Sequence, residues 1–196
     1  MTRIIAGAAK GRRLAVPKKD TRPTADRVRE SLFSAVSAHL LKVGINWTEL
    51  SALDLYAGTG ALGLEALSRG AHRVVLIEKA RAAGEVIEAN INAVALPGAQ
   101  LLIGDVSAIL EGLGTPPFGL VFVDPPYEVG SPEITTVLML LQGNRLLTNG
   151  ALVIVERPTG DEQPPLPASW EVLQVRRHGD TTLWYGQAPE NVLDLS

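Results

Sequence analysis

The feature that most constrains the fold is an alternation of apolar, strand-like runs with helical periods, which begins near residue 52. The apolar runs lie at 52–56, 73–77, 100–103, 119–123 and 151–155, with helical periods at 61–69, 80–94, 106–112 and 131–142. Because strands buried on both faces read as continuous apolar runs, this pattern is typical of an α/β fold with a parallel sheet. The end of the chain differs. Runs at 170–177 and 181–185 flank a His178-Gly179-Asp180 turn and predict an antiparallel hairpin.

Composition excludes several classes of protein. The chain has 196 residues, of which 46% are hydrophobic and 20% charged, which suits one globular domain. No apolar run is long enough for a membrane span and the N-terminus is basic, so we expect a cytoplasmic protein without membrane contact. Cysteine is absent, which excludes disulfides and thiolate metal sites, and the three histidines lack metal-ligand spacing. We therefore predict no metal.

Charge is distributed unevenly along the chain. Residues 1–29 contain nine Lys/Arg against Asp20 and Asp26, a net charge of +7, so the remainder carries −10 within a total of −3. Such a segment is either a solvated tail or a surface for a polyanion. The acidic body would draw a polyanion to this one end, which favours nucleic acid.

The chain divides into three predicted parts. Residues 1–20 form a basic N-terminal hairpin or arm with its turn near Lys10-Gly11. Because isolated hairpins are marginal, we expect it to pack lightly or to become ordered on binding RNA or DNA. Residues 21–186 form the main domain, beginning with a helix from an N-cap at Thr24 to about Lys42. Residues 187–196 read as a flexible tail.

A glycine loop follows the first strand of the alternating region. Gly58, Gly60 and Gly63 satisfy the Gly-x-Gly-x-x-Gly pattern between a strand and a helix. Glycine allows a sharp turn and close approach of the backbone to a ligand. The pattern alone is weak evidence, since tight strand–helix turns also use glycine structurally.

Two acids strengthen the prediction of a nucleotide-like ligand. Glu78 ends the next strand, twenty residues after Gly58, where a carboxylate can accept both hydroxyls of a ribose. Its alternative role is an acid favoured at a helix N-terminus. Asp105-Val106 follows the third strand and suits an adenine site, with a helix cap by Asp105 as the alternative. These features fit either a nicotinamide dehydrogenase or an S-adenosylmethionine enzyme.

The fourth strand ends in Asp124-Pro125-Pro126-Tyr127. Asp124 Oδ and the Pro125 carbonyl can each accept one N–H of an exocyclic amine and point its lone pair at an electrophilic methyl. The prolines fix that carbonyl in advance, and Tyr127 offers a face for an unstacked base. The alternative is a strand-ending turn, with Asp124 as a helix cap and Tyr127 on the surface.

These motifs together resemble the S-adenosylmethionine-dependent amino-methyltransferases that act on exocyclic nitrogens of nucleic-acid bases. More narrowly, RIIAG at 3–7, RPTADRVRESLF at 22–33 and DLYAGTG at 54–60 are similar to the bacterial 16S rRNA (guanine-N2)-methyltransferase family, RsmD. The resemblance extends from residue 3 to about 186, and the N-terminal run is its family-specific part.

The resemblance implies a Rossmann-like class I methyltransferase fold, with a mostly parallel seven-stranded sheet and an antiparallel C-terminal hairpin. It implies methyl transfer from S-adenosyl-L-methionine to N2 of one guanine in small-subunit rRNA. We expect the partner to be rRNA within an assembly intermediate, and the enzyme to be a monomer.

The candidate residues fall into three groups. The predicted catalytic residues are Asp124, Pro125, Pro126 and Tyr127. The predicted cofactor-binding residues are Asp54, Tyr56, Ala57, Gly58, Thr59, Gly60, Gly63, Glu78, Lys79, Asp105 and Val106. The predicted RNA-binding residues are Arg3, Lys10, Arg12, Arg13, Lys18, Lys19, Arg22, Thr24 and Arg27.

Three other functions stay open at this point. A DNA or RNA adenine-N6 methyltransferase would use the same four residues after the fourth strand. An NAD-dependent oxidoreductase would share the glycine loop and Glu78, but it leaves residues 124–127 and the basic segment unexplained. A non-catalytic RNA-binding protein would have no need of the cofactor motifs.

Overall fold

The computed structural model describes residues 2–16, 25–161 and 165–190. A small sheet pairs β1 (Thr2–Arg3) with β2 (Arg13–Leu14). The main sheet contains β3 (Ser51–Leu55), β4 (Arg73–Glu78), β5 (Ala99–Ile103), β6 (Phe118–Val123), β7 (Leu147–Pro158), β8 (Glu171–His178) and β9 (Thr181–Gln187). The α-helices are α1 (Ala25–Val43), α2 (Ala61–Arg69), α3 (Arg81–Val94), α4 (Val106–Gly112) and α5 (Ser131–Gly143), and a 3₁₀ turn covers Trp47–Glu49.

The main sheet has the strand order β5-β4-β3-β6-β7-β9-β8. Strands β3 to β7 are parallel, whereas β9 runs antiparallel to both β7 and β8. The predicted Rossmann-like fold, with seven strands and an antiparallel C-terminal hairpin, is therefore confirmed. The chain moves outward from β3 to β5 and then returns to β6 beside β3. Ligands of open α/β sheets bind where the strand order reverses in this way.

The two faces of the sheet bury different side chains. Phe122 of β6 and Ile154 of β7 pack in the core formed with α1, α2, α3 and the N-terminal hairpin. Val123 and Val155 pack on the opposite face with α4 and α5. We call these the α1 side and the α5 side. The alternation follows from the two-residue period of a strand.

The N-terminal hairpin is firmly docked on α2, so the expectation of light packing is wrong. Ile4, Ala9 and Leu14 are buried in the core on the α1 side. The carboxylate of Glu65, itself fully buried, accepts hydrogen bonds from the backbone N–H groups of Ile5 at 2.7 Å and Ala6 at 3.1 Å. A short amphipathic hairpin with three apolar residues gains burial by docking that it lacks in isolation.

Two further side chains hold the hairpin. Ser68 Oγ donates to the carbonyl of Ala6 at 2.6 Å and accepts from the N–H of Ala9 at 2.9 Å. Asn90 of α3 accepts from the N–H of Ala15 at 2.6 Å, and its amide donates to the carbonyl oxygens of Ala15 and Thr59. One side chain thus joins the end of the hairpin to the glycine loop.

Several element boundaries differ from the sequence expectation. Helix α1 ends at Val43, close to the predicted end at Lys42, while the predicted N-cap Thr24 lies outside the described residues. Strand β7 extends to Pro158, beyond the predicted 155, because β9 pairs with its last three residues. The packed chain also continues past 186, since Ala188 is buried and donates to the Ala151 carbonyl. No helix in the described ranges is long and apolar enough to cross a bilayer.

Candidate active site

The glycine loop is a tight turn between β3 and α2. Tyr56, Gly58 and Gly60 all have positive φ, at 59°, 57° and 75°. Among the described residues, a Cβ built on Gly58 would meet only the Tyr56 carbonyl, at 3.9 Å, so the backbone there is open on that side. Glycine at 58 therefore serves the conformation of the turn and leaves room for a ligand close to the backbone.

Asp54 lies under this loop at the end of β3. Its Oδ2 accepts the N–H of Gly63 at 2.8 Å. Burial raises the pKa of Asp54 to about 7, the hydrogen bond from Gly63 opposes the shift, and the charge of Glu78 adds to it. A Cβ at Gly63 would stand 2.9 Å from Val74 and 3.1 Å from this carboxylate. Gly63 thus permits close packing of α2 on the sheet and lies beneath the ligand site.

Glu78 occupies the end of β4 next to the glycine loop. Its Oε2 accepts the N–H of Gly58 at 2.9 Å, and its Oε1 accepts the N–H of Ala80 at 2.8 Å. The second contact is the helix-terminal role considered for this acid, since Ala80 is the N-cap of α3. The first contact brings the carboxylate to the ligand side of the loop, where the ribose role stays a prediction.

Asp105 caps α4, as the alternative interpretation expects. Its Oδ1 accepts from the N–H of Ser107 at 3.1 Å and of Ala108 at 3.4 Å. Lys79 Nζ donates to its Oδ2 at 3.1 Å, and this bond is the main reason that the pKa of Asp105 is lowered. Helix capping does not preclude contact with an adenine, which stays a prediction.

The four residues after β6 leave the strand at the centre of the sheet. Pro125 is buried, whereas Asp124, Pro126 and Tyr127 are exposed, with Tyr127 at 56%. The N–H of Val129 donates to the Pro126 carbonyl and closes a turn. The next helix, α5, has Gly130 as its N-cap, so the alternative in which Asp124 caps a helix is excluded.

One cavity of about 770 Å³ joins these features, a size typical of small-ligand sites. Of the predicted catalytic and cofactor-binding residues, its wall contains Asp54, Tyr56, Ala57, Gly58, Thr59, Glu78, Lys79, Asp105, Val106, Asp124, Pro125, Pro126 and Tyr127. Gly60 and Gly63 lie outside the wall and act in packing. The neighbouring positions of β3 and β6 explain the convergence, because both loops leave the same edge of the sheet.

None of the predicted RNA-binding residues that the structure describes lies in this wall. Arg3, Lys10, Arg12, Arg13 and Arg27 are exposed around the docked hairpin and the start of α1. Thr2 and Val16, at the two ends of the hairpin, line the cavity. Lys18, Lys19, Arg22 and Thr24 are outside the described residues.

Sequence reasoning missed Arg29 of α1, which also lines the cavity. Its side chain is only 5% exposed and donates through Nη2 to the Arg3 carbonyl at 2.6 Å and to Asp26 at 2.9 Å. Its Nε has no hydrogen-bond partner within the described ranges. Burial lowers the pKa of Arg29, with Asp26 and Glu65 opposing the shift. In the sequence it was one cation among nine, with no distinguishing signal.

Glu156 of β7 was also missed, although the sequence carried a signal for it. It directly follows Val153-Ile154-Val155, in the same way that Glu78 and Asp124 follow apolar strands. With it, the described part of the cavity wall contains seven acidic side chains, Asp54, Glu78, Asp105, Asp124, Glu128, Glu133 and Glu156, against the cations Arg29 and Lys79. These charges favour a cationic ligand and disfavour phosphate. Burial, with the charges of Glu133 and Asp105, also raises the pKa of Tyr56 to about 12.

The fold and this site define a Rossmann-like protein of the methyltransferase class. Its structure is similar to that of a putative methyltransferase, yhhF, from Escherichia coli, with a TM-score of 0.81 and 35% identity over 97% of this chain and 99% of that one. The chain belongs to the family described as Conserved hypothetical protein 95, whose model matches residues 2–187. The family resemblance seen in the sequence is thereby confirmed.

Named relatives of the chain are also methyltransferases. A protein named Ribosomal RNA small subunit methyltransferase D from Escherichia coli is 39% identical over 171 residues, covering 87% of this chain and 81% of its own. A protein of the same name from Haemophilus influenzae is 32% identical over 182 residues, covering 90% and 89%.

Proposed function

We propose that this protein transfers a methyl group from S-adenosylmethionine to the exocyclic N2 amine of a guanine in small-subunit ribosomal RNA. The observation that carries the proposal is the meeting of the glycine loop with Asp124 and Pro125 in one cavity. The names of the relatives support rRNA as the substrate. The choice of the guanine N2 atom rests on the sequence resemblance.

The residues of the cavity suit this cofactor. The open side of Gly58 admits a ligand close to the backbone, and the Glu78 carboxylate beside it is an acceptor for ribose hydroxyls. Lys79, Asp105 and Val106 form the neighbouring wall for the adenine ring. When bound, S-adenosylmethionine supplies an electrophilic methyl group on a positively charged sulfur.

The charge of the wall favours a sulfonium compound over a dinucleotide. Among the residues that the structure describes, seven acidic side chains and two cations line the wall, and this balance attracts a ligand with a positive centre. The pyrophosphate of NAD would bring two negative charges into the same cavity. The oxidoreductase alternative therefore lacks electrostatic support, although it shares the glycine loop.

Asp124 and Pro125 act on the amine that receives the methyl group. The Asp124 carboxylate and the Pro125 carbonyl each accept one N–H bond, which favours a pyramidal nitrogen whose lone pair is available. Held in this way, the nitrogen would form the new bond to the methyl carbon that the cofactor supplies, and the sulfur would leave with the electron pair of the broken carbon–sulfur bond. The excess proton on nitrogen then passes to Asp124 and on to water.

Tyr127 and the hairpin act on the RNA. The exposed ring of Tyr127 gives a flipped base a stacking surface, worth about 1–3 kcal/mol. The exposed cations Lys10, Arg12 and Arg13 stand on the hairpin, whose ends reach the cavity. This arrangement holds the phosphate backbone beside the acidic cavity, so that only the base enters it.

Methylation of rRNA by the purified protein tests the proposal. Small-subunit rRNA from cells lacking the protein is incubated with S-adenosylmethionine as naked RNA, as an assembly intermediate and as the complete subunit. The RNA products are digested, the modified nucleosides are identified by mass spectrometry, and the modified position is mapped. N2-methylguanosine at one position, made best on the intermediate, is the expected result. N6-methyladenosine would support the adenine alternative, and stabilisation by NAD in a thermal shift assay would support the oxidoreductase.

A further inference from the structure

We propose that Glu156 accepts the N1–H of the target guanine and so makes the cavity selective for guanine over adenine. The inference rests on the proposed function and names the residue that would choose its base. Asp124 and Pro125 serve an exocyclic amine on either purine, so selectivity requires another group in the same cavity.

The sheet register places Glu156 beside Asp124. Strands β6 and β7 are parallel, and their last register pair joins Val123 to Val155. Asp124, the first residue after β6, and Glu156, the next residue of β7, directly follow this pair. Glu156 follows Val155 within β7 and alternates with it, which directs its side chain to the α1 side. Both carboxylates line the cavity.

Glu156 is also held in place by its strand. At this level β6 has already ended, but β7 is still paired with β9, and Glu156 lies opposite Leu183. Thr181 Oγ1 lies 3.4 Å from Oε1 of Glu156. A group carried by a paired strand keeps its position better than one carried by a loop. Two other acids of the wall are less suited to this role. Glu128 lies in the exposed turn after Tyr127, and Glu133 lies near Tyr56.

Hydrogen-bond chemistry then separates the two purines. Beside its exocyclic amine, guanine presents N1–H, a donor, whereas adenine presents the N1 lone pair, an acceptor. An ionised carboxylate only accepts hydrogen bonds. With Asp124 and Pro125 bound to the amine, Glu156 matches the third donor of guanine and repels the lone pair of adenine. Sites built around such polar matches reject the mismatched ligand strongly.

The test compares guanine with 2-aminopurine, which keeps the 2-amine but has a lone pair at N1. Small-subunit particles are reconstituted with rRNA carrying either base at the mapped position. The wild-type protein is expected to methylate guanine with a kcat/KM about tenfold to a hundredfold above that for 2-aminopurine. Glu156→Gln should narrow this ratio severalfold, because a glutamine amide can either accept from N1–H or donate to the lone pair.

Glu171→Gln is the matched control, since Glu171 is an exposed acid on β8 outside the cavity wall. In this variant the ratio of kcat/KM for guanine to that for 2-aminopurine should stay at the wild-type value. A ratio unchanged in Glu156→Gln would overturn the inference. So would equal wild-type rates on the two bases, a result that needs no variant to fold. The proposed function fails separately, if the wild-type protein forms no N2-methylguanosine at all.

Discussion

Gly7 of the N-terminal hairpin lies against Ser68 of α2 so closely that a Cβ at residue 7 would stand 1.8 Å from the Ser68 carbonyl oxygen. The N–H of Ala8 donates to that same oxygen at 2.7 Å. This contact is part of the docking that fixes the hairpin on the domain. The identity of residue 7 therefore decides whether the hairpin can dock.

Gly7→Ala is expected to release the hairpin and lower the free energy of unfolding by several kcal/mol. The variant combines the strain of a side chain at positive φ, about 1–2 kcal/mol, with the breaking of docking hydrogen bonds worth about 1 kcal/mol each. Urea unfolding measures the change. Gly11→Ala is the control, because Gly11 has nearly the same φ, +84° against +83°, but no atom of the described residues lies within 4 Å of its Cβ position. Equal destabilisation of the two variants would contradict the docking argument.

Asp124→Ala is expected to reduce methyl transfer at least about a hundredfold, because the acid is proposed to contact the amine in the transition state. Affinity for S-adenosylmethionine should change little. Single-turnover methylation and calorimetry measure the two quantities separately. Asp180→Ala, in the exposed turn between β8 and β9, should behave as wild type. Near-normal turnover in Asp124→Ala would exclude the proposed mechanism.

Glu78→Ala is expected to weaken cofactor binding about tenfold or more, with little effect on RNA affinity. The substitution removes the carboxylate proposed for the ribose and the acceptor that orients the Gly58 N–H. Calorimetric titration with S-adenosylmethionine gives the affinity. Glu85→Ala, an exposed acid on α3, is the matched control. Unchanged affinity in Glu78→Ala would refute the ribose assignment.

Asp54 is expected to make the protein less stable as pH rises from 4 to 8. Burial raises its pKa to about 7 in the folded state, against about 3.9 when unfolded, so the folded state binds the proton more tightly. The stabilisation is complete below pH 4 and is lost as pH rises through 7. At about 1.4 kcal/mol per pKa unit, the effect amounts to a few kcal/mol.

Asp54→Asn tests this dependence because the amide oxygen can still accept the Gly63 N–H. The free energy of unfolding of the variant should exceed that of the wild type at pH 8. At pH 4 the variant should show no such increase. Urea unfolding of both proteins at the two pH values gives the difference. A difference that is the same at both pH values would show that Asp54 does not titrate in this range.

Replacing Lys10 and Arg12 together by Ala is expected to weaken RNA binding and flatten its salt dependence. The slope of log affinity against log salt concentration should fall by roughly 0.7–0.9 for each phosphate that these side chains neutralise in the wild-type complex. Both side chains are exposed, so the docked backbone is unaffected, whereas deletion of the hairpin would uncover Ile4 and Glu65. Lys42→Ala, at the far end of α1, is the control. An unchanged slope would mean that these cations do not bind RNA.

The sequence predicted the fold well because each buried strand is a continuous apolar run and each helix has its own period. It also predicted most of the cavity wall, since acids that end buried strands meet at one edge of a parallel sheet. Glu156 could have been found by the same rule. Its neighbour in space, Asp124, lies 32 positions earlier in the chain, and only the strand order shows that β7 is next to β6.

Long-range contacts explain the rest of the differences. The docking of the hairpin depends on Glu65, Ser68 and Asn90, which lie 59 to 75 residues away from their backbone partners. Nothing local in residues 1–20 indicates that a buried carboxylate on α2 will bind them. The role of Arg29 also depends on a long-range contact, because its side chain donates to the carbonyl of Arg3. Arg3 lies on a strand of two residues, which is too short for a sequence period to predict.

The pairing of β3 with β6 has a consequence for how activity disappears on heating. Four register pairs, from Ala52 with Leu120 to Leu55 with Val123, join the strands that carry the glycine loop and Asp124. The side chains of both strands belong to the central core. The proposed alignment of methyl donor and acceptor thus depends on two strands of the central core, and we expect catalysis and the native fold to disappear at the same temperature.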